Sequence, residues 1–358
     1  MTDCLSLEHA ICIEYINKSG QEQNLENWLK EQDRPIGLIL CEGFEERSLA
    51  IGEKLAELRT KVDCVIIGRY SNHLEENKKY LARFAKLAND LAPSNTKIID
   101  NDNDGVWVRK AIELSGANAV LLDITSISNR GLFGALDAAS ASNRQIFIGY
   151  SEPAQYWPKK ADWDAINQNL SVNTSIAISE LVDKAPWLFG YEHCVETVPG
   201  HEGYDSVGYG HALIGFLPFK AARLAAIIER EIYSEFIFIA GRPRLEENLW
   251  RLQALKRINI FTTKNWEIKE ISTFSYRNAI EQIAALLFKN PSLLEKYDVH
   301  LAITGSKLQT IACWVVSSIV SSITVIASIP AVYYPESFSD GIGVSWVFEL
   351  LSPRKLVS

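Results

Sequence analysis

Ten short runs of β-branched and aliphatic residues, separated within each half by stretches with helical spacing, constrain this chain more than any other feature. Runs apolar throughout suit strands buried on both faces, and strands alternating with helices call for parallel sheets joined by right-handed crossovers. Five runs lie in the first half: Ile36–Cys41, Val62–Gly68, Thr96–Asp100, Ala119–Thr125 and Gln145–Tyr150. Helical patterns at about Arg47–Arg59, His73–Leu91, Gly105–Ser115 and Asn129–Ser142 separate them. Five more follow: His211–Leu217, Glu235–Gly241, Trp266–Ser272, Asp298–Thr304 and Ile323–Ile329. Their intervening helices fall at about Lys220–Glu231, Leu245–Ile258, Tyr276–Lys289 and Lys307–Val320.

The two series repeat one plan. The first-to-second step is 26 residues in one half (36 to 62) and 24 in the other (211 to 235). The fourth-to-fifth step is 26 (119 to 145) against 25 (298 to 323). Gly68-Arg69 and Gly241-Arg242 both close a second strand, and Ile124-Thr125-Ser126 and Ile303-Thr304-Gly305 both close a fourth. The expected fold is α/β: two tandem Rossmann-like parallel-sheet domains related by internal duplication, with an extra C-terminal edge strand at Val344–Leu351. A strand near Ala10–Ile16 and a helix near Leu25–Glu31 precede the repeat. The expected boundaries are 1–155 for the N-terminal domain, 156–210 for a connection rich in proline and glycine, and 211–358 for the C-terminal domain. Long irregular segments such as this connection are more often functional or mobile than neutral.

A length of 358 residues favours two domains. The net charge of −8 argues against duplex nucleic acid as the main partner, although a basic pocket on an acidic body can still take a small anion. The start, Met1-Thr2-Asp3-Cys4, lacks a cationic stretch followed by an apolar core, so a cytoplasmic protein is expected. The apolar segment Ile311–Val332 is divided by Ser317-Ser318 and Ser321-Ser322, which suits a buried helix running into a buried strand better than a membrane span. The six cysteines show no C-x-x-C spacing and are expected to be reduced.

Open parallel sheets bind ligands beyond the carboxyl ends of their strands, where helix N-termini offer free N–H groups. The principal candidate there is Thr304-Gly305-Ser306-Lys307, two hydroxyls and an ammonium suited to phosphate oxygens, or else a serine helix cap with a solvated lysine. Its counterpart comprises Thr125, Ser126 and Arg130, preceded by Asp123, which could orient a ribose hydroxyl or cap a backbone turn. Arg69 and Arg242, with Arg244 nearby, occupy the position where dinucleotide folds read the ribose end. After the first strand, Cys41-Glu42-Gly43-Phe44-Glu45-Glu46-Arg47 is not a G-x-G-x-x-G fingerprint, and its carboxylates would repel a diphosphate unless a metal or Arg47 intervened. Glu42, Glu45, Asp123 and His211 are the candidates for acid–base chemistry. The connection carries His193, Cys194, Glu196, His201, Glu202, Asp205 and His211, but without an established short ligand pair, so neither a metal nor a cofactor is expected. Gly200–Tyr204 reads alternatively as a flap over the binding cleft. The aromatic loop Tyr333–Gly341 either stacks a base or packs on the edge strand.

A strand ending in hydroxyl residues, then Gly, Ser and Lys opening a helix, resembles the ligand loop of CARF-type Rossmann domains. The resemblance rests on Thr304-Gly305-Ser306-Lys307, with Thr125-Ser126 and Arg130 as a second copy. CARF domains and the related two-lobed SAVED sensors bind cyclic or linear oligonucleotide signals in prokaryotic antiviral defence. The resemblance implies a sensor of a nucleotide-like anion held between two lobes, regulating a partner effector, since no effector domain is recognisable in this chain. The alternatives are a transferase or hydrolase acting on a nucleotide or nucleotide-sugar, and an assembly scaffold without a ligand.

Overall fold

A computed structural model describes residues 2–71, 74–102, 104–170, 193–259, 266–331 and 338–357. The chain divides into two compact units, each built on its own sheet. One comprises Asn17–Trp157 with Tyr334–Leu356, the other Met1–Ile16 with Pro158–Tyr333. The first unit is called the first lobe here, the other the second lobe.

Strands are numbered along the whole chain. In the first lobe β1 is Gln23–Asn24, β2 Ile36–Cys41, β3 Val62–Tyr70, β4 Thr96–Asn101, β5 Ala119–Asp123, β6 Gln145–Ser151 and β7 Gln155–Tyr156. The second lobe contributes β8 His193–Thr197, β9 Gly210–Phe216, β10 Tyr233–Arg242, β11 Trp266–Ser272, β12 Tyr297–Ala302 and β13 Thr324–Pro330, after which β14 Ser339–Asp340 and β15 Ser345–Glu349 return to the first. All ten expected runs are strands. The first sheet has the order β1-β15-β6-β5-β2-β3-β4 and the second β11-β10-β9-β12-β13-β8. Counting parallel strands within each lobe, both read 3-2-1-4-5. Each sheet then adds one antiparallel strand beside its fifth: β15 on β6, and β8 on β13.

Alternation along the strands divides each core into two layers. Ile36, Leu38 and Leu40 of β2 face Ile51, Leu55, Phe84 and Leu87 of the helices Ala50–Glu57 and Leu81–Leu91. The helices Trp107–Ser115 and Asn129–Ser140 cover the opposite face. In the second lobe Leu213 and Phe238 pack with Leu224 and Ile227 of the helix Ala222–Arg230. The helix Lys307–Ile319 is buried along nearly its whole length, including Trp314 and the polar Gln309, Thr310 and Ser317. At thirteen residues it is too short to cross a bilayer, and among the described residues no helix is long and apolar enough to do so.

Three local expectations need correction. Residues 10–16 are not a strand but part of a helix, Thr2–Lys18, because the buried positions are Ile11, Cys12 and Tyr15 while Ile13 is exposed. That is the spacing of a helix face. His9 of this helix stacks on Phe288 of the second lobe (4.9 Å between ring centroids), and Arg277 donates to the Ile16 carbonyl (2.7 Å). The C-terminal strand is not an edge strand either. β15 lies between β6 and β1 of the first sheet, where its Val347 and Phe348 are buried. Finally, the connection supplies the ordered strand β8, whereas Pro186 and Gly190 of the same stretch, like residues 332–337 of the aromatic loop, lie outside the described residues.

Candidate functional site

In each sheet the strand order reverses between the first and fourth parallel strands, β2 and β5 in one lobe and β9 and β12 in the other. In open α/β sheets, loops leaving neighbouring strands at such a point part to opposite faces, and ligands commonly bind at that carboxyl end.

In the first lobe this end is built from buried charge. Glu42, directly after β2, is buried and accepts from Arg69 at the tip of β3: Nε lies 3.2 and 3.0 Å from its two oxygens, and Nη2 lies 2.9 Å from Oε1. A second pair stands beside it. Arg47, also buried, donates from Nε and Nη2 to Glu45 (3.2 and 2.8 Å) and from Nη1 to the Ser151 carbonyl at the end of β6 (2.9 Å). Ser339 of β14 donates its hydroxyl to the same Glu45 carboxylate. The expected repulsion between these carboxylates and an anion is therefore offset within the lobe, by Arg69 and Arg47. Neither glutamate is poised as a general base while it is held by a fork of guanidinium N–H groups. Cys41 accepts from Asn101 Nδ2 (3.3 Å), and burial pushes its thiol up to about 12, so it is a buried hydrophobe and not a nucleophile.

Asp123 closes β5 at the switch point. Its Oδ1 accepts the Thr125 amide (2.8 Å), and its buried Oδ2 has no hydrogen-bond partner among the described residues. Burial raises the carboxyl to about 7, against the opposing influence of the Thr125 bonds and Arg47. Both readings of this residue thus have a counterpart: one oxygen caps a backbone turn, and the other is available. Thr125 is buried and its hydroxyl oxygen accepts the Ser151 amide (3.0 Å). Tyr70 holds the next turn by donating to the Ser126 carbonyl (3.0 Å) while its oxygen accepts the Ser128 amide (3.0 Å). Ser128 caps the helix Asn129–Ser140, with Arg130 half-buried in the first turn.

In the second lobe the corresponding loop is held by hydroxyls. Thr304 is buried and donates to the Phe216 carbonyl at the end of β9. Ser306 caps the helix Lys307–Ile319 in a full capping box: its oxygen accepts the Gln309 amide (3.2 Å), and Gln309 Oε1 accepts the Ser306 amide (3.0 Å). The Ser306 hydroxyl also donates to the Thr273 carbonyl (2.8 Å). A Cβ on Gly305 would stand 2.5 Å from Gln309 Oε1 and 2.9 Å from the Phe216 ring, so glycine here makes room for the cap. Lys307 opens the helix, half-buried. Arg242 is 60% exposed, 3.7 Å from Glu270, and Arg244 lies over the Phe274 ring (5.1 Å).

Register decides which positions correspond. Ile124 N donates to the Gly149 carbonyl, and Ile303 N donates to the Ile326 carbonyl, so the two fourth strands end alike. Glu42 N donates to Gly68 O and Leu217 N to Ile239 O, so the two first strands also end alike. With Cys41 opposite Gly68 and Phe216 opposite Ile239, Arg69 is level with Ala240, while Arg242 lies two residues further along its strand. The matching Gly-Arg words therefore do not occupy matching positions, because β10 runs longer than β3 beyond the first strand. By the same register Asp123 corresponds to Ala302.

His211, a candidate acid–base residue, is the second residue of β9 and so stands at the amino end of the second sheet, away from the strand tips. The Gly200–Tyr204 segment is likewise strapped to the amino end of β13, with Val325 N donating to His201 O (2.8 Å) and His201 Nδ1 at 2.8 Å from Ser317 Oγ. A segment so bonded is not a flap. Sequence reading missed the fork of Arg69 on Glu42 and the anchoring role of Tyr70, since neither partner lies at a local spacing. Ser306 was read as a possible helix cap, without its capping-box partner Gln309.

No family model matches this chain, and no curated protein matches it. Two solved structures align with this chain at low similarity. A type III CRISPR defence DNA nuclease activated by cyclic oligoadenylate is 11% identical, with a TM-score of 0.48, over 79% of this chain and 64% of that one. This chain thus spans less than two thirds of that nuclease. The UDP-GlcNAc 2-epimerase of Neisseria meningitidis, bound to UDP-GlcNAc, is 9% identical with a TM-score of 0.22, over 75% of this chain and 77% of that one.

Proposed function

We propose that this chain is a sensor that binds a small nucleotide-like anion at the carboxyl ends of its parallel strands and thereby regulates a partner effector in antiviral defence. The observation that carries the reading is Asp123: a buried carboxyl at a switch point, with one oxygen anchored by the Thr125 amide and the other without a partner. Leaving a buried polar atom unpaired costs about 1–3 kcal/mol. A ribose hydroxyl or base N–H that reaches Asp123 recovers that cost. The ionised carboxylate accepts such a group, and the neutral acid, present up to about pH 7, donates to one.

Cationic groups stand at the same ends of the sheets. Arg69 keeps 36% of its side chain exposed beside Glu42, and Arg242 is more exposed still. With Lys307, Arg130 and Arg244 they are the proposed phosphate contacts, while Thr125, Ser126, Thr304, Gly305 and Ser306 shape the loops that present them. The likeness of Thr304-Gly305-Ser306-Lys307 to the CARF ligand loop supports a cyclic or linear oligonucleotide as the ligand. Regulation requires that the ligand bind one conformation more tightly than another.

The test is mass spectrometry of small molecules extracted from the native protein, followed by calorimetric titration with short cyclic and linear oligoribonucleotides. One of them is expected to bind, and Lys307→Ala and Asp123→Asn are each expected to weaken it about tenfold or more, the worth of one charge-assisted contact. Circular dichroism of both variants should be unchanged. An empty extract together with no binding in the series removes the reading. Product formation in the same mixtures would replace the sensor by an enzyme.

A further inference from the structure

At the opposite end of the second sheet from Lys307, the amino ends of β9, β12 and β13, the end of β8 and the residues before β10 surround a cavity of about 180 Å³. Its lining includes four carboxylates (Glu202, Asp205, Glu231 and Asp298) against one guanidinium, that of Arg230. Asp205, His211 and Asp298 converge there, each offering a ligand atom, with these atoms all within 4.8 Å of one another. We propose that this cluster is a binding site for one divalent transition-metal ion, Zn²⁺ or Mn²⁺, held by His211 Nε2 and one oxygen each of Asp205 and Asp298, with a position left open to water.

The donor set is what distinguishes the ion. An imidazole with two carboxylates suits Zn²⁺ and Mn²⁺ and disfavours Mg²⁺, which prefers oxygen donors and keeps its waters. The two carboxylates also neutralise the double positive charge.

The second layer of contacts is in place. His211 Nδ1 lies 3.3 Å from His300 Nε2, and His300 Nδ1 lies 3.1 Å from the Tyr233 hydroxyl. Nδ1 of His211 is thereby occupied, which leaves Nε2 for a metal. A neutral imidazole carries one ring proton. The chain then has two self-consistent directions. If Tyr233 donates toward His300, His211 carries its proton on Nε2 and cannot ligate. If His211 Nδ1–H donates to His300 and His300 Nδ1–H donates to Tyr233, His211 Nε2 has its lone pair free. A bound metal selects the second direction, and ligating histidines commonly donate their other nitrogen in this way.

The loop that brings Asp205 is fixed by the backbone. Ser206 N donates to Asp298 Oδ2 (2.8 Å), which orients Asp298 and leaves Oδ1 as its ligating atom. Val198 N donates to Val325 O (2.8 Å), and Tyr204 N to Ser322 O (3.4 Å). Gly203 adopts φ +64° against Thr324, whose hydroxyl oxygen would stand 2.5 Å from any Cβ there. Bound metal would thus tie the end of the connection to the β9 and β12 strands of the second lobe. The inference is independent of the strand-tip site.

The test uses the whole chain, stripped with a chelator and titrated calorimetrically with Zn²⁺, Mn²⁺ and Mg²⁺. One Zn²⁺ or Mn²⁺ per chain is expected, with Mg²⁺ at least tenfold weaker. Asp205→Asn changes an exposed side chain and should keep the fold while weakening the metal at least tenfold. His211→Ala should abolish binding and, in NMR of the parent protein, the metal should shift the His211 Nε2 resonance while leaving that of Lys307 unmoved. No stoichiometric binding, affinity unaffected by both substitutions, or Mg²⁺ binding as tightly as Zn²⁺ would each overturn the site.

Discussion

The two lobes share a backbone and differ in what occupies the same positions on it. Where the first lobe carries the buried Glu42 and its partner Arg69, the second carries Leu217 and Ala240, both buried. Where the first places Asp123 at the end of its fourth strand, the second has Ala302. The second lobe shows that this architecture folds without the charges. Replacing a buried ion pair by apolar residues is often neutral or stabilising, so the fold does not require the charges of the first lobe, which fits the proposed binding role.

That contrast can be broken most directly at Asp123. Its carboxyl is raised to about 7 by burial, so it keeps its proton in the folded state over a range where the unfolded chain has lost it. Below about pH 4 the residue is protonated in both states and has no effect. As pH rises from 4 to 7 the stability contributed by the retained proton is progressively lost, and above 7 the folded state bears the full cost of ionisation. That cost is roughly 4 kcal/mol, from a rise of about three pH units at about 1.4 kcal/mol each. Asp123→Asn should therefore match the parent at pH 4 and exceed it by that order at pH 8, measured by urea unfolding at both. Equal pH slopes for parent and variant would show that the carboxyl is not buried as described.

A smaller effect is expected at the ion pair. Arg69→Ala leaves Glu42 buried without its partner and should cost about 2–3 kcal/mol, below the 3–5 kcal/mol of a fully buried pair because Arg69 is partly solvated. The double variant Glu42→Leu with Arg69→Ala installs the residues of the second lobe and should regain most of that loss. A double variant as unstable as the single would mean that the equivalence of the lobes stops at the backbone.

The smallest contrast concerns the helix caps. Ser306 combines a capping box with a bond to Thr273, whereas Ser128 accepts the Gly131 amide in the first lobe (3.0 Å), with glycine at the position that Gln309 fills in the box. Ser306→Ala should cost about 1.5–2 kcal/mol and Ser128→Ala about 0.5–1 kcal/mol, by thermal unfolding. Reversal of that order would point to a ligand-facing hydroxyl at Ser306 with little part in the cap.

Much of the fold was legible along the chain, and the candidate site much less so. Serine before the helix at Lys307 and the hydroxyl-rich ends of the fourth strands stand out because caps and strand ends are local. Arg69 and Arg242 looked equivalent because each follows a glycine. Their true offset depends on how far β10 extends past β9, which only the pairing register defines. The partnership of Arg47 with the Ser151 carbonyl spans about a hundred residues, and the convergence of Asp205, His211 and Asp298 joins a loop to two strands nearly ninety residues apart. Neither leaves a spacing to read.

Sequence alone determined the ten strands, the helices between them and their repetition, because burial on both faces or on one stripe imprints itself on neighbouring residues. Tertiary structure decided where the ends of the chain went. The segment Ser345–Glu349 pairs with β6, and the N-terminal residues pack on the second lobe, since an open sheet edge or helix face accepts any segment of suitable pattern that reaches it. It also decided which charges were paired, because a carboxylate's partner is set by distance in space and not by distance along the chain.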